Sequence, residues 1–86
     1  WEVAARVVGY DAIRGLTACT QRNKIKQGDW LEALAPNAEP FSFQAKGLTD
    51  AQGQPIFSTP HAKMPFYMDI PKVLPKGAFL RKQTDI

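Results

Sequence analysis

Seven prolines and six glycines are spread so evenly along the chain that no window of more than about 15 residues escapes one. Proline lacks a backbone donor and clashes with the preceding helical turn, so a chain punctuated in this way cannot be built from long helices. Between the breakers the sequence alternates or is β-branched and aromatic. The segments are Glu2–Val8, Leu16–Gln21, Trp30–Leu34, Phe41–Ala45, Pro55–Phe57, Phe66–Ile70 and Phe79–Lys82. In the first, Val3, Ala5 and Val7 point one way and Glu2, Ala4 and Arg6 the other, the period of two of a half-buried strand. Phe41, Phe43 and Ala45 oppose Ser42, Gln44 and Lys46, and Phe66, Met68 and Ile70 oppose Tyr67 and Asp69. The predicted fold is all-β, a small closed or partly open barrel of about six or seven short strands. Closure is favoured because a small open sheet would leave two unpaired edges as templates for aggregation. Val7, Leu16, Leu31, Phe43, Ile56, Met68 and Leu80 are the expected core.

Turn chemistry fits the same scheme. Tyr10-Asp11-Ala12-Ile13-Arg14-Gly15 suits a hairpin loop, and Pro36-Asn37-Ala38-Glu39-Pro40 and Asp50-Ala51-Gln52-Gly53 carry similar signals. An internal echo is also visible. Lys26-Gln27-Gly28-Asp29-Trp30-Leu31 and Pro75-Lys76-Gly77-Ala78-Phe79-Leu80 share the order polar residue, Gly, small or acidic residue, aromatic, Leu. In both, Gly is placed to bend the chain and the aromatic and Leu to enter a strand on opposite faces.

Eighty-six residues leave room for one core, so residues 1–82 read as a single barrel domain and 83–86 as a frayed polar tail. A hydrophobic fraction of 44% with 22% charged residues is that of a folded chain rather than a disordered one. The start Trp1-Glu2-Val3 has neither an initiator Met nor a leader, which suggests a segment of a longer protein. One cysteine and one histidine cannot make an intrachain disulfide or a four-ligand zinc site, so neither metal nor cofactor is expected, and the location expected is cytoplasmic. Every apolar run is cut short by a charge or a proline, so no membrane span is expected.

Chemistry-bearing residues are few. Cys19 and His61 are the only candidates for a thiol nucleophile and its base, but Cys19 lies in a strand pattern, where a lone Cys usually acts as a small buried hydrophobe. His61, in a proline-bounded loop, is a candidate contact for a ligand or a neighbouring domain. No pair of carboxylates is spaced for acid–base work, so no catalytic residue is assigned and no hydrolytic activity is expected of the domain alone. Net charge is +3, and the basic residues are unevenly placed. Arg22, Lys24 and Lys26 flank Asn23 without an acid between them, and Lys63, Lys72, Lys76, Arg81 and Lys82 share their segment with Asp69 alone. Arg22, Asn23, Lys24, Lys26 and His61 are therefore the candidate binding residues. Interspersed Lys and Arg also serve simply as a solvated face, whereas a phosphate-contacting surface would use them for counterion release. Trp30, Phe66, Tyr67 and Phe79 lie near these segments and could stack on bases, though a small barrel needs most of its aromatics inside.

Val7-Val8-Gly9-Tyr10-Asp11, Gln21-Arg22-Asn23-Lys24, Gly28-Asp29-Trp30-Leu31-Glu32, Glu39-Pro40-Phe41, Gly53-Gln54-Pro55-Ile56, Pro60-His61 and Leu74-Pro75-Lys76-Gly77-Ala78-Phe79-Leu80-Arg81 together resemble the C-terminal domain of the collagenase-like peptidase family U32. Ala78 stands where that pattern favours Asp, and Ile25 where an aromatic is common. The resemblance implies a compact β-barrel appended to an upstream catalytic domain of TIM-barrel type, whose active-site residues match nothing here. It further implies an accessory substrate-binding or docking role. The partners it implies are a peptide or, as in relatives that hydroxylate RNA, an RNA.

Overall fold

The computed structural model describes residues 1–36, 38–59 and 63–82. His61, residue 37 of the Pro36–Pro40 turn and the tail at 83–86 lie outside the described residues. Seven antiparallel strands form one curled half-barrel: β1 (Glu2–Asp11), β2 (Leu16–Gln21), β3 (Trp30–Leu34), β4 (Phe41–Gln44), β5 (Thr49–Asp50), β6 (Pro65–Met68) and β7 (Phe79–Lys82), in the order β4-β3-β7-β1-β2-β6-β5. No helix occurs among the described residues, so none there is long and apolar enough to cross a membrane.

Alternation decides which side chains enter the concave face. Leu31 and Ala33 of β3, Phe43 of β4, Cys19 of β2, Phe66 and Met68 of β6 and Leu80 of β7 are all buried, while their strand neighbours face outward. β1 breaks the pattern. Ala4, Ala5 and Val7 are buried and Val3 is exposed, because an irregularity between Val3 and Ala5 slips the register against β7. A second slip, between Val7 and Gly9, leaves Val8 as an extra residue against β2. The simple two-face reading of β1 is thus corrected at Ala4, which a bulge turns inward instead of outward. Two further corrections concern the core and the fifth strand. Leu16 is half-buried and stands outside the core cluster, and Ile56 packs on it only partly buried, whereas Ile25 and Leu48 from connecting segments are fully inside. Pro55–Phe57 contributes only an isolated bridge to Thr49, and the fifth strand is Thr49–Asp50.

The two ends of the sheet, β4 and β5, are consecutive in the chain, and this manages the exposed edges. Ala45 still bonds to the β3 side, donating to Asp29 O (2.8 Å) and accepting from Gly28 N, while the Lys46 carbonyl already accepts from Asp69 N (3.0 Å) beyond β6. One extended run therefore spans the opening that the strand ladder leaves. The corner is Gly47, at φ 66°, where an added Cβ would lie 3.0 Å from Asp69 Cβ and 3.4 Å from Asp69 N. Gly47→Ala is expected to cost about 1–3 kcal/mol from the left-handed backbone and the contact together. Thermal denaturation should show a Tm lower by at least about 4 °C; an unchanged Tm would refute the role of this corner.

The echo is structural. Gly28 and Gly77 both have positive φ, 90° and 94°, and in each the next residue's N–H closes a turn on the carbonyl three back, Asp29 to Lys26 (3.0 Å) and Ala78 to Pro75 (3.1 Å). Each turn is then clamped reciprocally to a single residue of a neighbouring segment. Gly28 N and Asp29 O bond to Ala45, and Gly77 N and Ala78 O bond to Val7. The aromatic that follows is exposed in both copies and the Leu is buried, as the matched order required. Ala78, fully buried, keeps the backbone geometry without an acidic side chain.

Candidate functional site: a basic cleft on the bulged strand

The second bulge of β1 underlies a cleft of about 380 Å³ lined by Arg6, Val7, Val8, Thr20, Arg22, Lys63 and Lys76. Four cations line it and no carboxylate does. Register explains how they meet. Arg6 and Thr20 are directly opposed across β1 and β2, and residues so paired share a sheet face. Arg22 follows Thr20 by two positions and falls on that face, where its N–H and that of Asn23 both donate to the Ala4 carbonyl at the first bulge (2.8 and 3.0 Å). Lys63 comes from the segment before β6, its N–H on Gln21 O (3.0 Å) while Gln21 N donates to Met64 O (3.0 Å). Lys76 belongs to the turn that Gly77 clamps onto Val7 (2.9 Å).

Charge is segregated around this cleft. Asp11 pairs with Arg14 (3.5 Å), Asp69 with Lys46 (3.7 Å), Asp29 with Lys82 (3.8 Å) and Glu32 with Arg81. Asp50 spends its carboxylate on the N–H groups of Gln52 and Gln54 (3.0 and 2.9 Å). Among the described residues, Arg6, Arg22, Lys63 and Lys76 make no ion pair. Lys63 also holds φ 62°, the one non-glycine residue described in the left-handed region. Such a conformation costs of order 1–3 kcal/mol and recurs where a side chain must be aimed.

The candidate binding residues separate in the fold. Arg22 lines the cleft, but Lys24 and Lys26, exposed on the same loop, do not. The Lys24 carbonyl receives the Lys82 ammonium, and Lys26 N–H is capped by the Asp29 carboxylate (2.9 Å). Asn23 is a clamp, its side-chain amide donating to Val3 O (2.7 Å). The loop is anchored at Ile25. Ile25 is buried in the core and bonded both ways to Thr59, whose Oγ1 accepts from Ile25 N and whose N–H reaches Ile25 O, each at 2.9 Å. Arg6 escaped the sequence reading because its partners come from three distant segments; its one visible signal was a cation on the polar face of a strand. Lys63 and Lys76 were visible only as members of a basic segment.

Cys19 is fully buried, and burial pushes its thiol up from 9.0 to about 12. It is protonated near neutrality and withdrawn from solvent, so it offers no thiolate nucleophile. Among the described residues no three His, Cys, Asp or Glu side chains cluster as metal ligands would.

Over residues 1–81 the sequence matches the family described as the peptidase family U32 C-terminal domain. Among solved structures, the chain is similar to the C-terminal domain of a candidate U32 peptidase of Geobacillus thermoleovorans. The selenomethionine form of that domain superposes with a TM-score of 0.89 at 27% identity, over 95% of this chain and 100% of that one. A second structure of the domain gives a TM-score of 0.87 at 26% identity, over 96% of this chain and 93% of that one. No curated protein matches the chain.

Proposed function

The chain belongs to the family of U32 peptidase C-terminal domains, and from that premise we propose that it is an accessory substrate-binding module whose cleft takes the phosphates of an RNA. The observation that carries this reading is the convergence of Arg6, Arg22, Lys63 and Lys76 on one cleft with no lining carboxylate. Such a surface gains affinity by releasing the counterions condensed on a phosphate backbone, a gain that does not depend on base sequence. A domain of this family is the C-terminal part of a larger U32 protein. In this reading the bond-making chemistry belongs to an upstream domain of TIM-barrel type, and the barrel holds the substrate for it.

The test is an affinity series with transfer and ribosomal RNA across salt concentrations. If all four cations neutralise phosphates, log K should fall with log salt at a slope of about 0.7 per contact on a single strand, close to 3 in total. Reversing Arg22 and Lys63 to Glu is expected to weaken binding and roughly halve that slope. Thermal stability should stay nearly unchanged, because exposed charges contribute little to folding. Reversing Lys24 and Lys26, outside the cleft, should do distinctly less. Equal affinity of wild-type and Arg22/Lys63-reversed domains at low salt would overturn the reading, as would equally tight binding of an acidic peptide.

A further inference from the structure

Phe79 stands directly opposite Arg6 across the β1–β7 ladder and opposite Leu34 across the β3–β7 ladder. Its side chain faces outward and is 43% exposed. An exposed Phe alone is unremarkable in a small domain. Here the ring, just outside the lining residues, is a cross-strand neighbour of a cation that lines the cleft, so their Cβ atoms lie roughly 4.5–5.5 Å apart on one face of the sheet. The other aromatics near the basic segments are disposed differently. Phe66 is buried, Tyr67 is half-buried beneath the Arg14 guanidinium (5.0 Å to the ring centroid), and Trp30 sits on β3 opposite Gln44, not beside a residue of the cleft.

We infer that the cleft takes a single strand rather than a duplex, with Phe79 as the platform on which a base stacks while Arg6 and its neighbours hold the adjoining phosphates. This rests on the phosphate-binding reading of the cleft. It follows from the geometry of the ligand: in a duplex each base face is already covered by the next pair, whereas an unpaired base presents its face to an aromatic ring. Selectivity for base identity is not expected, since stacking is tolerant of sequence and the cleft is lined chiefly by cations.

The experiment compares three probes by fluorescence anisotropy: a single-stranded oligouridylate, an RNA duplex of equal length, and inorganic polyphosphate, which has charge without bases. The wild-type domain should bind the single strand more tightly than the duplex. Phe79→Ala should weaken the single strand by about 5- to 100-fold and leave both the polyphosphate affinity and the salt slope unchanged. Phe79→Leu, which keeps apolar cover over Leu34, should show the same loss, and Phe79→Tyr should restore binding. If polyphosphate binds while Phe79→Ala and wild type hold the single strand equally, the platform is overturned and the cleft stands. A duplex bound as tightly as the single strand also overturns the inference. Failure of polyphosphate and RNA alike removes the cleft reading and this inference with it.

Discussion

Truncating Phe43 to alanine is expected to lower the unfolding free energy of the domain by about 3–5 kcal/mol. Phe43 is only 4% exposed, sits on β4 opposite Leu31, and its ring centroid lies 5.8 Å from that of Phe41 in a tilted arrangement. Removing the ring forfeits its transfer free energy and leaves a void that the run across the barrel opening cannot fill by shifting. That run is fixed by the bonds of Ala45 to Gly28 and Asp29 and of Lys46 to Asp69. A domain of this size has roughly 4–13 kcal/mol of stability in total, so the variant should be close to unfolding at ambient temperature. Urea titration followed by tryptophan fluorescence should show a much lower midpoint at an unchanged slope. A loss below about 1 kcal/mol would mean that Phe43 is not an element of the core.

The second large effect is alkaline. Cys19 has an ordinary value of 9.0 when exposed, and burial raises it to about 12 in the folded domain. Below pH 9 the thiol is protonated whether the chain is folded or unfolded, and its contribution to stability does not vary. Between about 9 and about 12 the unfolded chain has released the proton and the folded one has not. The unfolding free energy therefore falls by roughly 1.4 kcal/mol per pH unit, on the order of 4 kcal/mol across the window. Cys19→Ala removes this dependence and should leave a visibly shallower decline above pH 9 in a series of denaturation curves. Alkylation of the native domain at neutral pH should be limited by opening of the barrel rather than by the reagent. Parallel alkaline profiles for wild type and Cys19→Ala, or fast native alkylation, would show the thiol to be accessible.

Much of the fold was legible in the residues. The bounds of β2, β3 and β7 follow directly from their alternation and breakers, and the hairpin at Asp11 closes as its chemistry dictates, with Asp11 Oδ1 accepting from Ile13 and Arg14 N–H at 3.0 and 3.1 Å. The burial of Cys19 and the matched turns at Gly28 and Gly77 were equally readable. Less visible was β5, a two-residue strand whose pairing with Tyr67 and Phe66 exists only once β6 is in place. Ile25 and Leu48 were missed because single apolar residues between breakers show no period, yet each is wholly buried. Only part of the site was visible: Arg22, Lys63 and Lys76 belong to segments whose basic excess was plain, but nothing local joins them to one another or to Arg6.

Sequence by itself determined the strand content, the turns and the inward set of most strands, because these depend on backbone dihedral preferences and on a two-residue period that act within a few positions. Tertiary structure alone decided the two bulges of β1, the passage of one run from edge to edge through Gly47, and the meeting of four cations in one cleft. Each of these depends on register between strands distant in sequence, and a slip of one residue exchanges the faces of everything beyond it. The outward Phe79 beside Arg6 and the inward Phe66 illustrate the difference, since both are aromatics in short alternating strands and only the pairing of those strands separates a surface ring from a core one.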